Sequence, residues 1–358
     1  MENIEHKIIP VNGLKMHVAE LGKGPLVLFI HGFPELWYSW RHQMVFLAAH
    51  GYRAVAPDMR GYGDTTGAPL DDPSKFTVLH LVGDLILLLD AIAPGEEKVF
   101  VVGHDWGALI AWHLCLYRPD RVKALVNLSV AFYPRNPEVN PVEMFRGLYG
   151  DDHYICRFQE PGDIESEFAN VGVKEVVKNI FAFRTPGPFY FPKGKGFGYS
   201  AERAPWLTEE DLDYYVSKFE QTGFTGGVNY YRSFGLNWEL TAPWSGAQVK
   251  VPAKFIIGEF DLTYHVPGTK DYIHKGGFQK FCAVVAGSRS AGRMYFQLKS
   301  VYNIISEIHM GIIVPAKYGL TSEGGALRFF IPPEKQMAQH LRAERLHADQ
   351  WKTEGNSS

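Results

Sequence analysis

Three features of the sequence predict an α/β architecture: a mostly parallel, doubly wound sheet with an inserted helical cap. Short continuous apolar runs, at 26–30 and 99–102, have the composition of strands buried on both faces. Helical patterns alternate with these runs, as parallel crossover connections require. Between about Tyr133 and Trp244 strand signals thin out, and aromatics, prolines and charges interleave in helical patterns. Such an insertion reads as a cap over the sheet's carboxyl edge, where active clefts of open α/β sheets lie.

Taken in order, residues 6–9 and 14–19 alternate around Asn12-Gly13 and predict an opening hairpin. The apolar strand at 26–30 runs into His31-Gly32-Phe33-Pro34-Glu35. A helix is expected over 37–50, a strand at 52–56, a loop at 57–64 and a helix over 77–91. The next strand, 99–102, turns at Gly103-His104-Asp105-Trp106-Gly107 into a helix at 108–117, and a strand follows at 122–130. Cap helices are expected at 139–149, 164–168, 173–183, 208–221 and 226–234. The sheet resumes at 253–257, which leads into Gly258-Glu259-Phe260-Asp261, and 281–286 has the composition of a last strand. Val301, Ile304, Ile305 and Ile308 share one helical face within 294–310, and a charged, weakly patterned helix is expected around 334–351. The expected division is a core at 1–132 and 245–312, a cap at 133–244, and a divergent, poorly ordered tail at 313–358.

The 358 residues suffice for one large α/β domain with an inserted cap. With a formal net charge of -3 and no basic cluster, neither nucleic acid nor an anionic membrane is an expected partner. Cys115, Cys156 and Cys282 lie far apart without metal-ligand spacing, so no metal is expected and the thiols read as free in the cytoplasm. The polar start, MENIEHKIIPVNG, leads us to expect no secretory leader, and no apolar run is long enough to span a bilayer. The sequon at Asn127 falls in a core strand and is discounted.

The chemistry centres on Asp105. Glycines two places on either side let backbone pass close to a tight strand-to-helix turn, the nucleophile-elbow pattern with Asp where Ser is more usual. A carboxylate is a modest nucleophile towards amides but can displace at saturated carbon and form an ester. Epoxides and alkyl halides suit it. Water can then attack the ester carbonyl, and the resulting oxyanion needs backbone donors. The Trp106 N–H is one expected donor, and the His31–Pro34 loop supplies the other at Phe33. Asp261, at a strand end, is expected to orient a histidine. The bland alternative is a surface helix cap, since a turn follows, and the functional reading is preferred.

The ordered set His31-Gly32-Phe33-Pro34-Glu35, Gly103-His104-Asp105-Trp106-Gly107, Asp152-His153-Tyr154, Asn229-Tyr230-Tyr231-Arg232 and Gly258-Glu259-Phe260-Asp261 resembles the plant soluble epoxide hydrolases of the α/β-hydrolase superfamily. The resemblance runs from the N-terminus to about Lys280. It implies the α/β-hydrolase fold, no cofactor, an apolar epoxide and water as substrates, and a monomer or homodimer. By resemblance Asp105 is the nucleophile, Asp261 the relay acid, and Tyr154 and Tyr231 the cap phenols that hold the epoxide oxygen. His31, Glu35 and His104 are site-lining or water-binding residues. The aromatic cap and the 189–192 segment point to an apolar cleft.

The resemblance stops where the family carries its base histidine, in the loop after the last strand. Here Phe281-Cys282-Ala283-Val284-Val285-Ala286 runs into Gly287-Ser288-Arg289-Ser290 with no histidine, and His309, at an expected helix end, is the nearest downstream candidate for the base. His265 and His274 are not in the base position. Two alternatives to a full epoxide hydrolase therefore stand: a single-turnover relative or ligand binder lacking the base, and a haloalkane dehalogenase. The paired cap tyrosines favour the epoxide, because a halide leaving group needs no proton.

Overall fold

Eight strands make one sheet in the order β1-β2-β4-β3-β5-β6-β7-β8 in the computed structural model, which describes residues 3–183, 185–197 and 201–290, with 283–290 as backbone alone. The strands are β1 Glu5–Val11, β2 Leu14–Leu21, β3 Leu26–Ile30, β4 Arg53–Pro57, β5 Val99–His104, β6 Val122–Leu128, β7 Val249–Gly258 and β8 Cys282–Ser290. β1, β2 and β4 pair antiparallel, and every later pairing is parallel. Asn12 and Gly13 both take positive φ, 48° and 79°, which a two-residue turn between twisted strands requires. Every residue of β3, LVLFI, is buried, as expected of a strand covered on both faces.

β3 lies between β4 and β5, so the winding reverses there and the chain leaves β3 and β5 on either side of one crevice. That crevice receives the loop after β3 and the turn after β5. The core helices are α1 Arg41–Ala49, α2 Val78–Ile92 and α3 Trp106–Tyr117, with α3 packed on β3, β5, β6 and β7. Between β6 and β7 lie α4 Pro141–Tyr149, α5 Tyr154–Arg157, α6 Asp163–Val171, α7 Val173–Ala182, α8 Glu209–Thr222, α9 Thr225–Arg232 and α10 Phe234–Leu240. α11, Thr269–His274, precedes β8.

The inserted helices are bolted to the core by buried polar contacts. The Arg41 guanidinium meets Asp211 at 2.7 Å, the Trp37 indole donates to the Tyr214 hydroxyl at 2.8 Å, and the Tyr230 hydroxyl donates to the Arg60 carbonyl at 2.8 Å. α9 can lie flush on the 58–64 loop because it opens with glycines: a Cβ on Gly226 would sit 2.1 Å from the Gly61 carbonyl oxygen. Beneath that loop, Arg60 forks onto both oxygens of buried Asp84 at 2.8 and 2.7 Å, and Asn12 donates to the same carboxylate at 2.8 Å.

Several boundaries differ from expectation. The elbow helix starts at Trp106 rather than Ala108, since only Asp105 is needed for the turn. β7 starts before Pro252, and a register shift between Val249 and Ala253 accommodates the proline's missing donor. β6 ends at Leu128 because Ser129 turns to φ 75°. The helix expected at 226–234 is two helices that meet at Ser233, and α5 has no sequence counterpart. β8 carries on through Ser290. The helices expected at 294–310 and 334–351 and the tail lie outside the described residues.

Candidate active site

Asp105 sits between the last residue of β5 and the first of α3 at φ 53°, ψ −122°. A non-glycine residue there is strained and persists only where its surroundings over-determine it. They do so by close packing: a Cβ on Gly107 would stand 2.0 Å from the Ile30 carbonyl oxygen, and one on Gly103 would stand 2.5 Å from that of Gly107. The two flanking glycines therefore let β3, β5 and α3 converge and hold the Asp105 side chain at the crevice.

The loop after β3 wraps this side chain. The Phe33 N–H donates to Asp105 Oδ1 at 2.8 Å, the Trp106 N–H also favours its charge, and the Phe33–Pro34 peptide is cis. Gly32 packs so closely that a Cβ there would lie 2.4 Å from Asp105 Cβ. Burial pushes the Asp105 carboxyl up to about 6, while the charge on His104 and the two N–H groups pull against it.

Glu35 and His104 form a buried pair behind the carboxylate. Glu35 Oε2 accepts from the Gly32 N–H at 3.1 Å and lies 3.0 Å from His104 Nδ1. Burial opposes charge on the imidazole, but the attraction of Glu35, with Asp105 and Asp261 adding, raises it to about 9. Glu35 Oε1 is buried without a hydrogen-bond partner among the described residues. His31 braces the loop instead of offering a nitrogen to the cleft. Its Nδ1–H donates to the Gly32 carbonyl at 2.9 Å, and its Nε2 accepts from the Met59 N–H at 3.0 Å.

Two cap phenols pack over this floor. The Tyr231 ring meets Trp106 at 5.1 Å, Phe33 at 5.6 Å and Tyr154 at 5.7 Å between centroids. Tyr154 is held where 152–154 and 189–191 exchange backbone bonds, Tyr154 N–H to Phe189 O at 3.0 Å and Phe191 N–H to Asp152 O at 2.8 Å. Burial raises the pKa of both phenols well above that of a free tyrosine, and the Asp105 charge adds to it, so both keep their protons. Phe158 closes against Tyr231 at 5.0 Å, so the surroundings of the phenols are aromatic.

Asp261 caps a short turn, with Oδ1 accepting from the Thr263 N–H at 2.9 Å and lying 2.8 Å from the Thr263 hydroxyl. Its charge nonetheless reaches both His104 and Tyr154, which puts it at the same edge of the sheet. His265 bonds the Glu259 carbonyl at 2.9 Å, and His274 bonds the Tyr264 hydroxyl at 2.9 Å; neither bonds Asp261. His309 lies outside the described residues. Elsewhere, ligand atoms of His17, Asp58 and Asp64 come within 4.8 Å of one another. There Lys218 donates to both Asp64 oxygens at 2.8 and 2.7 Å, and the Trp37 N–H donates to Asp58 at 3.0 Å, so an ion would have to displace existing partners.

Sequence reasoning passes over Tyr62, whose buried hydroxyl adjoins Phe33 and Gly227. Its signal was slight: an aromatic between Gly61 and Gly63 in a loop next to the crevice.

A strand-to-helix turn that presents a carboxylate to two backbone donors, at the switch point of a doubly wound sheet, defines an α/β hydrolase with an aspartate elbow. The alpha/beta hydrolase fold family matches residues 25–152. Epoxide hydrolase 2 of Siraitia grosvenorii is 59% identical over 283 residues, 78% of this chain and 88% of that protein. Epoxide hydrolase A of Mycobacterium tuberculosis is 39% identical over 271 residues, 71% of this chain and 82% of its own length. The solved structure of potato (Solanum tuberosum) epoxide hydrolase I superposes with a TM-score of 0.83 at 65% identity, covering 86% of this chain and 98% of that one. The chain belongs to the epoxide hydrolase family.

Proposed function

We propose that the protein opens epoxides to vicinal diols through an ester on Asp105. One observation carries this reading: the Asp105 carboxylate rests against the Phe33 N–H beneath two protonated phenols of the cap. In the first step an Asp105 oxygen bonds to an epoxide carbon, the carbon–oxygen bond breaks, and Tyr154 or Tyr231 gives its proton to the released oxygen. In the second step water adds to Asp105 Cγ, and the Phe33 and Trp106 N–H groups hold the oxyanion. The ester bond then breaks. One water proton goes to the departing diol oxygen, the other restores the phenol, and Asp105 is again a carboxylate.

Asp261 is the proposed relay acid, but no histidine follows β8 closely in the sequence to receive its hydrogen bond. We therefore expect the ester to form readily and to hydrolyse slowly. The aromatic surroundings of the phenols favour an apolar epoxide. We infer that 133–244 acts as a cap on a core at 1–132 and 245–312, that the chain works as a monomer or homodimer, and that its free cysteines belong to the cytoplasm. No helix among the described residues is long and apolar enough to cross a membrane.

Intact-mass spectrometry during incubation with an aryl epoxide tests the reading. The expected result is one covalent adduct per chain, mapped to Asp105, that persists well beyond its formation time and is absent from Asp105→Ala. Diol release without any adduct would show a substitute base. Neither adduct nor diol would overturn the epoxide reading.

A further inference from the structure

Tyr62 takes no part in the chemistry described above, yet it sits beside it. Its side chain is 1% exposed, and its hydroxyl has no hydrogen-bond partner among the described residues. A buried hydroxyl of this kind calls for an explanation, most often a bound water. Its ring is fixed edge-on to His31 at 4.8 Å and to Tyr230 at 5.4 Å, so the hydroxyl has a set position. A Cβ on Gly227 would stand 2.7 Å from that hydroxyl and equally 2.7 Å from the Phe33 ring. The hydroxyl therefore lies where the 58–64 loop, α9 and the loop that grips Asp105 come together. The charges of Asp105 and Glu35 both act on it.

Glu35 Oε1 is a second buried oxygen without a hydrogen-bond partner among the described residues, on the same loop whose Phe33 ring meets the Tyr62 hydroxyl at Gly227. The two atoms are complementary: a carboxylate oxygen only accepts, and a phenol both donates and accepts. No direct bond joins them. One water would satisfy both by accepting from Tyr62 and donating to Glu35, with a lone pair left over.

We propose that Tyr62 is a positioning residue that, together with Glu35 Oε1, holds one water beside Asp105 for attack on the ester. This rests on the ester reading of Asp105. Tyr62 touches none of the reacting atoms of the epoxide; it acts through the water.

The test uses the full-length protein, Tyr62→Phe, Glu35→Gln and the double variant. Intact-mass time courses with an aryl epoxide measure ester formation and ester decay separately. For Tyr62→Phe the expected formation rate is within about twofold of wild type, while the ester lives about tenfold longer, the loss of one positioning hydrogen bond. A purely structural tyrosine would slow both steps or neither, and an unchanged ester lifetime overturns the proposal. Thermal unfolding decides independently of whether any ester forms. Tyr62→Phe is expected to lower the midpoint by about 2 °C in the wild-type background and to leave it unchanged when Glu35→Gln is present. A rise of equal size in both backgrounds would mark an unpaired hydroxyl with no shared water and overturn the proposal. Absence of an ester in every protein would count against Asp105 as nucleophile, and the melting cycle would still decide the role of Tyr62.

Discussion

Glu35 keeps His104 charged, and Glu35→Gln should discharge it. The imidazole is 4% exposed, and burial alone would hold its pKa below the ordinary 6.5. It stands at about 9 because Glu35 Oε2 lies 3.0 Å from Nδ1. Glutamine preserves the shape and one acceptor but removes the charge, leaving Asp105 and Asp261 to oppose burial. The midpoint should fall by roughly 2–3 units, worth on the order of 3 kcal/mol. At about pH 7.5 the protonated fraction would drop from roughly 97% to about 10%. A raised histidine stabilises the fold fully below its unfolded pKa near 6.5, and that contribution is lost as pH rises through about 9. Wild type should therefore lose stability between these values and Glu35→Gln should not. His104 also acts more strongly on Asp105 than Glu35 does, so the Asp105 midpoint should move up from about 6. NMR titration of isotope-labelled histidine, with urea unfolding across the same pH range, measures each effect. A His104 midpoint that stays above about 8 in the variant would refute Glu35 as the source of the shift.

Three further outcomes are expected. Gly32→Ala puts a methyl 2.4 Å from Asp105 Cβ and should displace the Phe33 donor, slowing ester formation by about 10²-fold or more and costing about 1–3 kcal/mol of stability; rapid-quench mass analysis reads the first and urea unfolding followed by circular dichroism the second. Arg60→Ala leaves Asp84 buried without its fork and should cost about 3–5 kcal/mol in urea unfolding, since both side chains are almost wholly enclosed. Ester formation in wild type should fall as pH drops through about 6, because the proposed nucleophile, Asp105, attacks only as a carboxylate; a flat rate to pH 5 would contradict that role or the burial of that group.

The elbow was legible because its cause is local. An apolar strand, glycines on either side of Asp105 and an apolar helix leave few other conformations open, and the packing distances at Gly103 and Gly107 are the physical content of that pattern. The cap tyrosines were not legible by composition, since the chain has 18 tyrosines and helical spacing assigns none of them a role. Only resemblance to a family singled out Tyr154 and Tyr231, because their meeting at 5.7 Å depends on two helices far apart in sequence. His31 shows a different limit. Next to a site motif an imidazole reads as a site group, and nothing in the sequence reveals that both nitrogens bond backbone. Tyr62 and the Arg60–Asp84 fork escaped notice because burial of a loop side chain is a tertiary outcome. The start of β7 was missed because Pro252 argues against a strand until a register shift is allowed.

The proposed half-reactions draw on different parts of the chain. The groups proposed for the alkylation step come from β3, β5, α3, α5 and α9, all of which precede β7. The proposed hydrolysis step needs a base, which by resemblance follows the last strand. β8 runs parallel to β7 and ends with Ser290 opposite Gly258, three positions before Asp261. The described part of β8 therefore ends near the level of Asp261. The next residues are Ala291-Gly292-Arg293-Met294, and the sequence holds no histidine between His274 and His309. None of these four can exchange a proton near neutral pH as an imidazole does. Placing a histidine at position 291 or 292 tests the need for a base at this point of the chain. If the base is what limits turnover, one of these variants should shorten the ester lifetime while leaving its rate of formation unchanged. If neither does, a base at these two positions is not what limits turnover.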